Sequence, residues 1–257
     1  MSLPSRIWHR LRYAGRRRRC PNCGARLRAF ETYSPIGSQC PRCGARDRHR
    51  LLAVYLETAS PVARGRPRVL HVAPESSVAI VLERLGWSGY RSVDLEPGVA
   101  DVAADLTALP FADRSFDLVI CSHVLEHVAD DRRALAELAR VVSERGEVLV
   151  LTPLDHRLEA TIEDPAASAE ERRRRFGQGD HVRIYGADLL ERIRAAGLAA
   201  SRFDADQVAE PLRRRAGLRG EFGAHGLRNE LFACTPAPLV PAVTVRDQWT
   251  PRRHRAP

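Results

Sequence analysis

VDLEPGVADVAADLTALPFADRSFDLVICSHVLEHV, residues 93–128, is a series of apolar runs that each close on a polar residue. RSV ends at Asp94, VAA at Asp105, and FDLVIC runs into Ser122 and His123. In an open parallel sheet the ligand lies beyond the carboxyl ends of the strands, so Asp94 and Asp105 would point into one crevice. One carboxylate there can accept from two ribose hydroxyls. The other, one strand further on, can read an adenine amino group.

Outward from this stretch the pattern stays that of alternating strands and helices. Val69–Val72, Tyr90–Val93, residues 99–103, Phe116–Cys121 and Glu147–Thr152 read as strands. Val78–Leu85 and Asp131–Val142 have apolar positions at helical spacing. A helix over 187–196 stops at Gly197, and a last hairpin uses 200–205 and 230–235. The fold class expected is α/β: a Rossmann-like sheet with helices on both faces.

LPFADRSFDLVICSHVLEHV resembles the class I S-adenosylmethionine-dependent methyltransferases, in the type 11-like branch that reads LPF.D.SFD…..VLEHV. Pro110, Phe111, Ser115, Phe116, Asp117, Leu125, Glu126 and His127 all fall in that order, and the resemblance spans about residues 66–235. It implies that Asp94 holds the cofactor ribose, Asp105 and Leu106 the adenine, and residues 121–123, with Ser122, the floor of the site. The first strand departs from the family. RVLHVAPESS places His71 where an acid is usual, and Ala73 and Glu75 where glycines let the backbone approach the methionine part of the cofactor. Pro74 removes a further donor. Glu75 then becomes a candidate for the methionine ammonium, beside the reading as an acid in the first helical turn. His71 reads equally as a buried, hydrogen-bonded histidine.

Cysteine spacing carries a second motif. Cys20-Pro-Asn-Cys23-Gly and Cys40-Pro-Arg-Cys43-Gly are two CPxCG knuckles, and LRAFETYSPIGSQ between them can pair as a hairpin. Two knuckles complete a tetrahedral S4 set, so a small zinc ribbon with structural zinc on Cys20, Cys23, Cys40 and Cys43 is expected, ahead of the alternative of disulfides. Cys121 and Cys234 lie in apolar strands and read as small hydrophobes. Residues 47–59, DRHRLLAVYLETA, form a helix with a broad apolar face that docks the ribbon to the sheet.

The domain reading is a basic leader (1–19), the ribbon (20–46), a connecting helix and linker (47–65), the methyltransferase domain (66–236) and a proline-rich, disordered tail (237–257). Charge is uneven along it. Residues 1–50 carry thirteen arginines against Glu31 and Asp47, a net of +11 in a chain of net +9, so the rest sums to −2. Arg16–Arg19 would serve either as a solvated leader or as phosphate contacts, making nucleic acid a candidate partner. All 41 cationic Lys+Arg residues are arginine, which excludes Schiff-base and P-loop lysine chemistry. No apolar run reaches the ~20 residues of a membrane span, and a cytoplasmic location is expected. Oligomeric state is left open.

FGQGDHVRIYGADLLERIRAAGL, residues 176–198, places Gln178, Asp180, His181, Arg183 and Tyr185 on a glycine-punctuated loop. Methyl transfer needs alignment and an acceptor lone pair, and a histidine is the natural base at neutral pH. His181, oriented by Asp180, is the first candidate, and His123 the second. Arg183 and Tyr185 would recognise the acceptor or tie the loop down. His123 and His127 stand four apart, but no third ligand is evident near them, which argues against a second metal site.

Three functions follow. The leading one is methyl transfer to the oxygen or nitrogen of a small-molecule or glycan-type acceptor. The second is RNA-directed methylation, with the basic ribbon as the handle. The third is a non-catalytic zinc-ribbon binding protein with a degenerate cofactor turn.

Overall fold

The computed structural model describes residues 11–33, 37–87, 89–219 and 227–237. The first ten residues and the tail beyond 237 lie outside them. Seven strands form one sheet: β5 (Val69–Val72), β6 (Tyr90–Asp94), β7 (Val102–Ala103), β8 (Phe116–Ser122), β9 (Val142–Asp155), β12 (Leu198–Phe203) and β13 (Leu227–Pro236), in the order β12-β13-β9-β8-β5-β6-β7. β5 pairs in parallel with both β6 and β8, and β8 with β9. β13 is antiparallel to both of its neighbours. The order therefore reverses between β5 and β8, and a crevice opens beyond the carboxyl ends of these two strands.

The central strands are apolar throughout because helices cover both faces. Leu70, Val72, Val119, Cys121, Val148 and Val150 pack on one face, with α3 (Asp131–Val141) and α5 (Leu189–Ala195). Val69, Leu118, Ile120, Leu149 and Leu151 pack on the other, with α1 (Asp47–Thr58) and α2 (Ser76–Leu85). The strict alternation is the two-residue period of a strand buried on both sides. β7 is shorter than its apolar run suggests. The Asp101 carboxylate takes the backbone N–H and hydroxyl of Ser92, each at 2.8 Å, in place of further ladder bonds. β9 is longer than expected because β13 pairs with it as far as Asp155.

The ribbon consists of β1 (Ala14–Arg19) with β2 (Arg26–Leu27) and β3 (Glu31–Thr32) with β4 (Ser38–Gln39). Residues 14–19 of the expected leader are thus a paired strand, with Arg16, Arg17 and Arg19 exposed on it. Smaller elements include β10 (Ile162–Glu163) with β11 (Arg183–Ile184), α4 (Ala169–Phe176) and α6 (Glu210–Ala216).

Arg50 fastens ribbon to sheet. Its side chain is fully buried. It donates to the carbonyls of Ser38 and Ala45 in the ribbon, to Ala216 and Gly217 at the end of α6, and to Asp47. Its guanidinium lies 4.0 Å from the Phe30 ring centroid. The first knuckle is also held, since Asn22 Nδ2 donates to Ser77 O at 3.0 Å and Arg84 Nε to Asn22 O at 3.1 Å. Removing one member of a buried pair leaves the other charge uncompensated. Arg50→Ala should therefore lower the unfolding free energy by about 3–5 kcal/mol in urea denaturation. A loss below about 1 kcal/mol, the range of an exposed pair, would remove Arg50 from this role.

Candidate functional site

Four strand ends supply the crevice. Beyond β5, Ala73 adopts φ +47° while its N–H still donates to Val93 O at 2.8 Å. The glycine-free turn thus takes the left-handed conformation a glycine would supply, at a cost of roughly 1–2 kcal/mol. Glu75, two residues on, is held from outside the sheet. Its Oε1 lies 2.6 Å from an Arg48 guanidinium nitrogen and 2.8 Å from His49 Nε2, both on α1, and its Oε2 lies 3.4 Å from Ser122 Oγ across the crevice. Burial alone would raise this carboxyl, but His49 and Arg48 overcome it and hold the pKa at about 2. Glu75 is therefore an anion whose Oε1 is occupied and whose Oε2 faces Ser122.

His71 is a buried, hydrogen-bonded histidine. It is fully buried, its Nδ1 lies 3.0 Å from Tyr90 Oη, and its Nε2 faces the Glu75 N–H at 3.5 Å. Burial pushes its pKa down to about 4, so it is neutral at pH 7.

Asp94 and Asp105 end β6 and follow β7 in the same manner. Each uses Oδ1 to accept the backbone N–H two residues on, Glu96 at 2.9 Å and Thr107 at 2.8 Å. These Asx turns leave each Oδ2 without a hydrogen-bond donor among the described residues. The Leu106 side chain is buried in the core with Leu109 and Leu125.

Beyond β8, Ser122 is buried, and His123 has φ +56° with its N–H donating to Leu151 O at 2.7 Å. His123 Nδ1 lies 3.0 Å from Glu126 Oε1. Glu126 is buried, and its Oε2 accepts from Thr152 Oγ1 at 3.0 Å. Burial would raise its carboxyl, but His123 and then His127 hold it below the ordinary value. His181 is brought to this end from far along the chain, with its ring edge-on to His127 at 4.7 Å between centroids. Burial lowers its pKa. Asp180 does not orient His181: its carboxylate lies 3.4 Å from His127 Nδ1.

Arg183 and Tyr185 tie the loop down. Arg183 is buried and donates to the carbonyls of Leu125, Val128 and Ala129, while Tyr185 donates to Asp131 at 2.8 Å. Cys121 and Cys234 are fully buried, and burial pushes both thiols up. Neither is a nucleophile. Sequence reasoning missed Arg48 and His49. The available signal was the polar run DRHR opening an otherwise apolar helix, of which Asp47, His49 and Arg50 are buried.

In the ribbon the four thiols converge, with Cys20 Sγ 3.7 Å from Cys43 Sγ and Cys23 Sγ 3.8 Å from Cys40 Sγ. Zn–S bonds of ~2.3 Å give a tetrahedral edge of about 3.8 Å, so the set fits zinc, and the separations exclude disulfides in this structure. Gly24 and Gly44, at φ +71° and +72°, close the two knuckles alike.

Comparison with known proteins agrees with this geometry. Residues 74–150 match a family model described as a methyltransferase domain. The chain is 46% identical over 54 residues to a demethylmenaquinone methyltransferase of Renibacterium salmoninarum, covering 21% of this chain and 23% of that protein. It is 37% identical over 68 residues to the ubiquinone/menaquinone biosynthesis C-methyltransferase UbiE of Klebsiella pneumoniae, covering 26% and 27%. The chain thus spans about a quarter of the length of the curated relatives it matches. The YcgJ protein of Bacillus subtilis shares the fold with a TM-score of 0.50 at 20% identity, over 74% of this chain and 99% of its own. Sheet order and shared structure give a Rossmann-like methyltransferase fold, with the methyltransferase-domain match falling on residues 74–150. In this chain it is preceded by a CPxCG ribbon whose four cysteines are arranged as a metal site.

The neutral state of His71 links stability to pH. A folded pKa of about 4 against an ordinary 6.5 means that acidification protonates the unfolded chain first. The contribution is complete above pH 6.5 and is lost as pH falls toward 4. Between pH 7 and 5 it amounts to about 2 kcal/mol. His71→Gln should therefore lose about 2 kcal/mol less than wild type between these pH values in urea unfolding; the ribbon cysteines, common to both proteins, cancel. Equal losses would place the titration elsewhere.

Proposed function

We propose that this chain is an S-adenosylmethionine-dependent methyltransferase acting on the oxygen or nitrogen of a small-molecule or glycan-type acceptor, with structural zinc in its ribbon. The observation that carries the reading is Asp94, with Oδ2 undonated among the described residues at the end of β6 beside the left-handed turn at Ala73. These two features suit a ribose and a closely approaching methionine chain. Glu75 Oε2 suits the ammonium of that chain. When bound, the cofactor supplies an electrophilic methyl group on a sulfonium.

The remaining work falls to the far side of the crevice. His181 is kept neutral by burial and accepts the proton that an acceptor hydroxyl or amine releases, and His123 is the second candidate for that role. Asp180 acts through His127. Cys20, Cys23, Cys40 and Cys43 hold zinc with all four positions filled, which makes it structural. The two sequence relatives are a demethylmenaquinone methyltransferase and a C-methyltransferase of ubiquinone/menaquinone biosynthesis, which supports a small-molecule acceptor and adds carbon to the acceptor atoms. Exposed Arg16, Arg17 and Arg19 on β1 favour one other reading, an RNA substrate held by the ribbon.

Calorimetric titration of the zinc-loaded protein with S-adenosylmethionine and S-adenosylhomocysteine tests the proposal. Asp94→Ala should weaken binding by at least about tenfold, the worth of one or more charge-assisted hydrogen bonds. No binding to the folded wild type would make this a non-catalytic ribbon protein. RNA affinity that falls steeply with salt, and is lost when Arg16, Arg17 and Arg19 are replaced by serine, would move the acceptor to RNA.

A further inference from the structure

His123 and His127 do not form a metal pair, but the third ligand absent from their neighbourhood in sequence is present in space. The ligand atoms of Glu126, His127 and His181 all lie within 4.8 Å of one another. From these contacts we propose that Glu126, His127 and His181 bind a first-row divalent cation, zinc or an ion of similar size, beyond the end of β8. Two histidines and one carboxylate form the donor set that holds such ions while leaving coordination positions open.

Three further features fit an ion. Glu126 is almost wholly buried, yet Oε1 has no hydrogen-bond partner among the described residues; it lies 3.0 Å from His123 Nδ1 but off the line of a hydrogen bond. Its other oxygen is fixed by Thr152, so the undonated oxygen is the one left to ligate. His127 Nδ1 faces the Asp180 carboxylate at 3.4 Å, which leaves Nε2 as the ligand atom in a carboxylate–histidine–metal relay. Ligand bonds of ~2.0–2.1 Å require donors about 3.3 Å apart in a tetrahedral set. The half-exposed His127 can close that gap by turning its ring, while Glu126 and His181 stay packed.

The site differs in kind from the ribbon, whose four thiolates leave no open position. An ion here would take an acceptor oxygen and lower its pKa, and His181 would then be a ligand, with His123 left as the base. That role rests on the methyltransferase reading; binding of the cation does not.

Metal titration of the full-length chain separates the two. Wild type should bind two zinc ions per chain, and His127→Ala and His181→Ala one each. With cobalt(II), the first equivalent should bring the intense thiolate charge-transfer absorption of the ribbon, and the second only ligand-field bands. His127→Ala should weaken the second site by at least about a hundredfold, and Asp180→Asn by about tenfold, as loss of an outer-shell partner does. Because His127 is on the surface, its variant should fold, which far-UV circular dichroism checks. Saturation of wild type at one equivalent, or a second equivalent that survives His127→Ala, overturns the site. Failure of the same samples to bind S-adenosylhomocysteine would instead overturn the methyltransferase reading and leave the metal result standing.

Discussion

The buried guanidinium of Arg50 is the contact on which the arrangement of ribbon, helices and sheet depends. A charge of this kind is tolerated only when its donors are met, and here carbonyls from two separate regions and the Asp47 carboxylate meet them. Asp47 is itself fixed by the Ser38 N–H at 2.9 Å and the Ser38 hydroxyl at 3.0 Å. Because these partners come from β4, α1 and the end of α6, no one of the three can shift without leaving a buried charge short of a partner.

That constraint reaches the crevice within one helical turn. Arg48 and His49, next to Arg50 on α1, hold the anion of Glu75. His49 Nδ1 is in turn 2.7 Å from Ser77 Oγ at the start of α2. The ribbon therefore does more than sit beside the domain. It fixes the first turn of α1, α1 fixes Glu75, and Glu75 spans from the end of β5 toward Ser122 at the end of β8. A glycine-rich turn would be shaped by its own backbone freedom, whereas this one is braced by side chains from a neighbouring helix. A small four-cysteine ribbon and a glycine-free turn after β5 are thus parts of one construction.

Much of this was legible in the sequence, for reasons that differ by element. The strands announced themselves because a doubly covered sheet needs unbroken apolar runs, and Asp94, Asp105 and Ser122 could be placed because chemistry gathers where those runs end. The cysteines were legible because their ligand geometry is local to two short turns. Other features were hidden because they depend on distance in space. His181 meets Glu126 and His127 only after the chain has passed through β9 and α4. Arg183 and Tyr185 carry the residue types of an acceptor site, but the carbonyls left by the turn after β8 and the Asp131 carboxylate claim them. Residues 14–19 read as a leader because a run of arginines masks the backbone pairing of β1 with β2.

Positive φ recurs on both sides of the switch point. Ala73 and His123 each extend their strand by one hydrogen bond to a neighbouring strand, Val93 on one side and Leu151 on the other, and then turn the chain through the left-handed region. Neither is glycine, so each conformation is a strain of about 1–3 kcal/mol that persists only where the surroundings over-determine it. At Ala73 the determinants are the ladder bond and the held Glu75. At His123 they are the ladder bond, the neighbouring Glu126 and the carbonyls behind it that Arg183 locks. The same device therefore sets a carboxylate at each rim of the crevice, two residues after the strained position on one side and three on the other. Glu75 is satisfied by the Arg48 guanidinium and the His49 ring of the ribbon-bound helix. Glu126 faces His123 Nδ1 at 3.0 Å and takes the Thr152 hydroxyl on its other oxygen, so this rim is set by neighbours on its own turn and on β9.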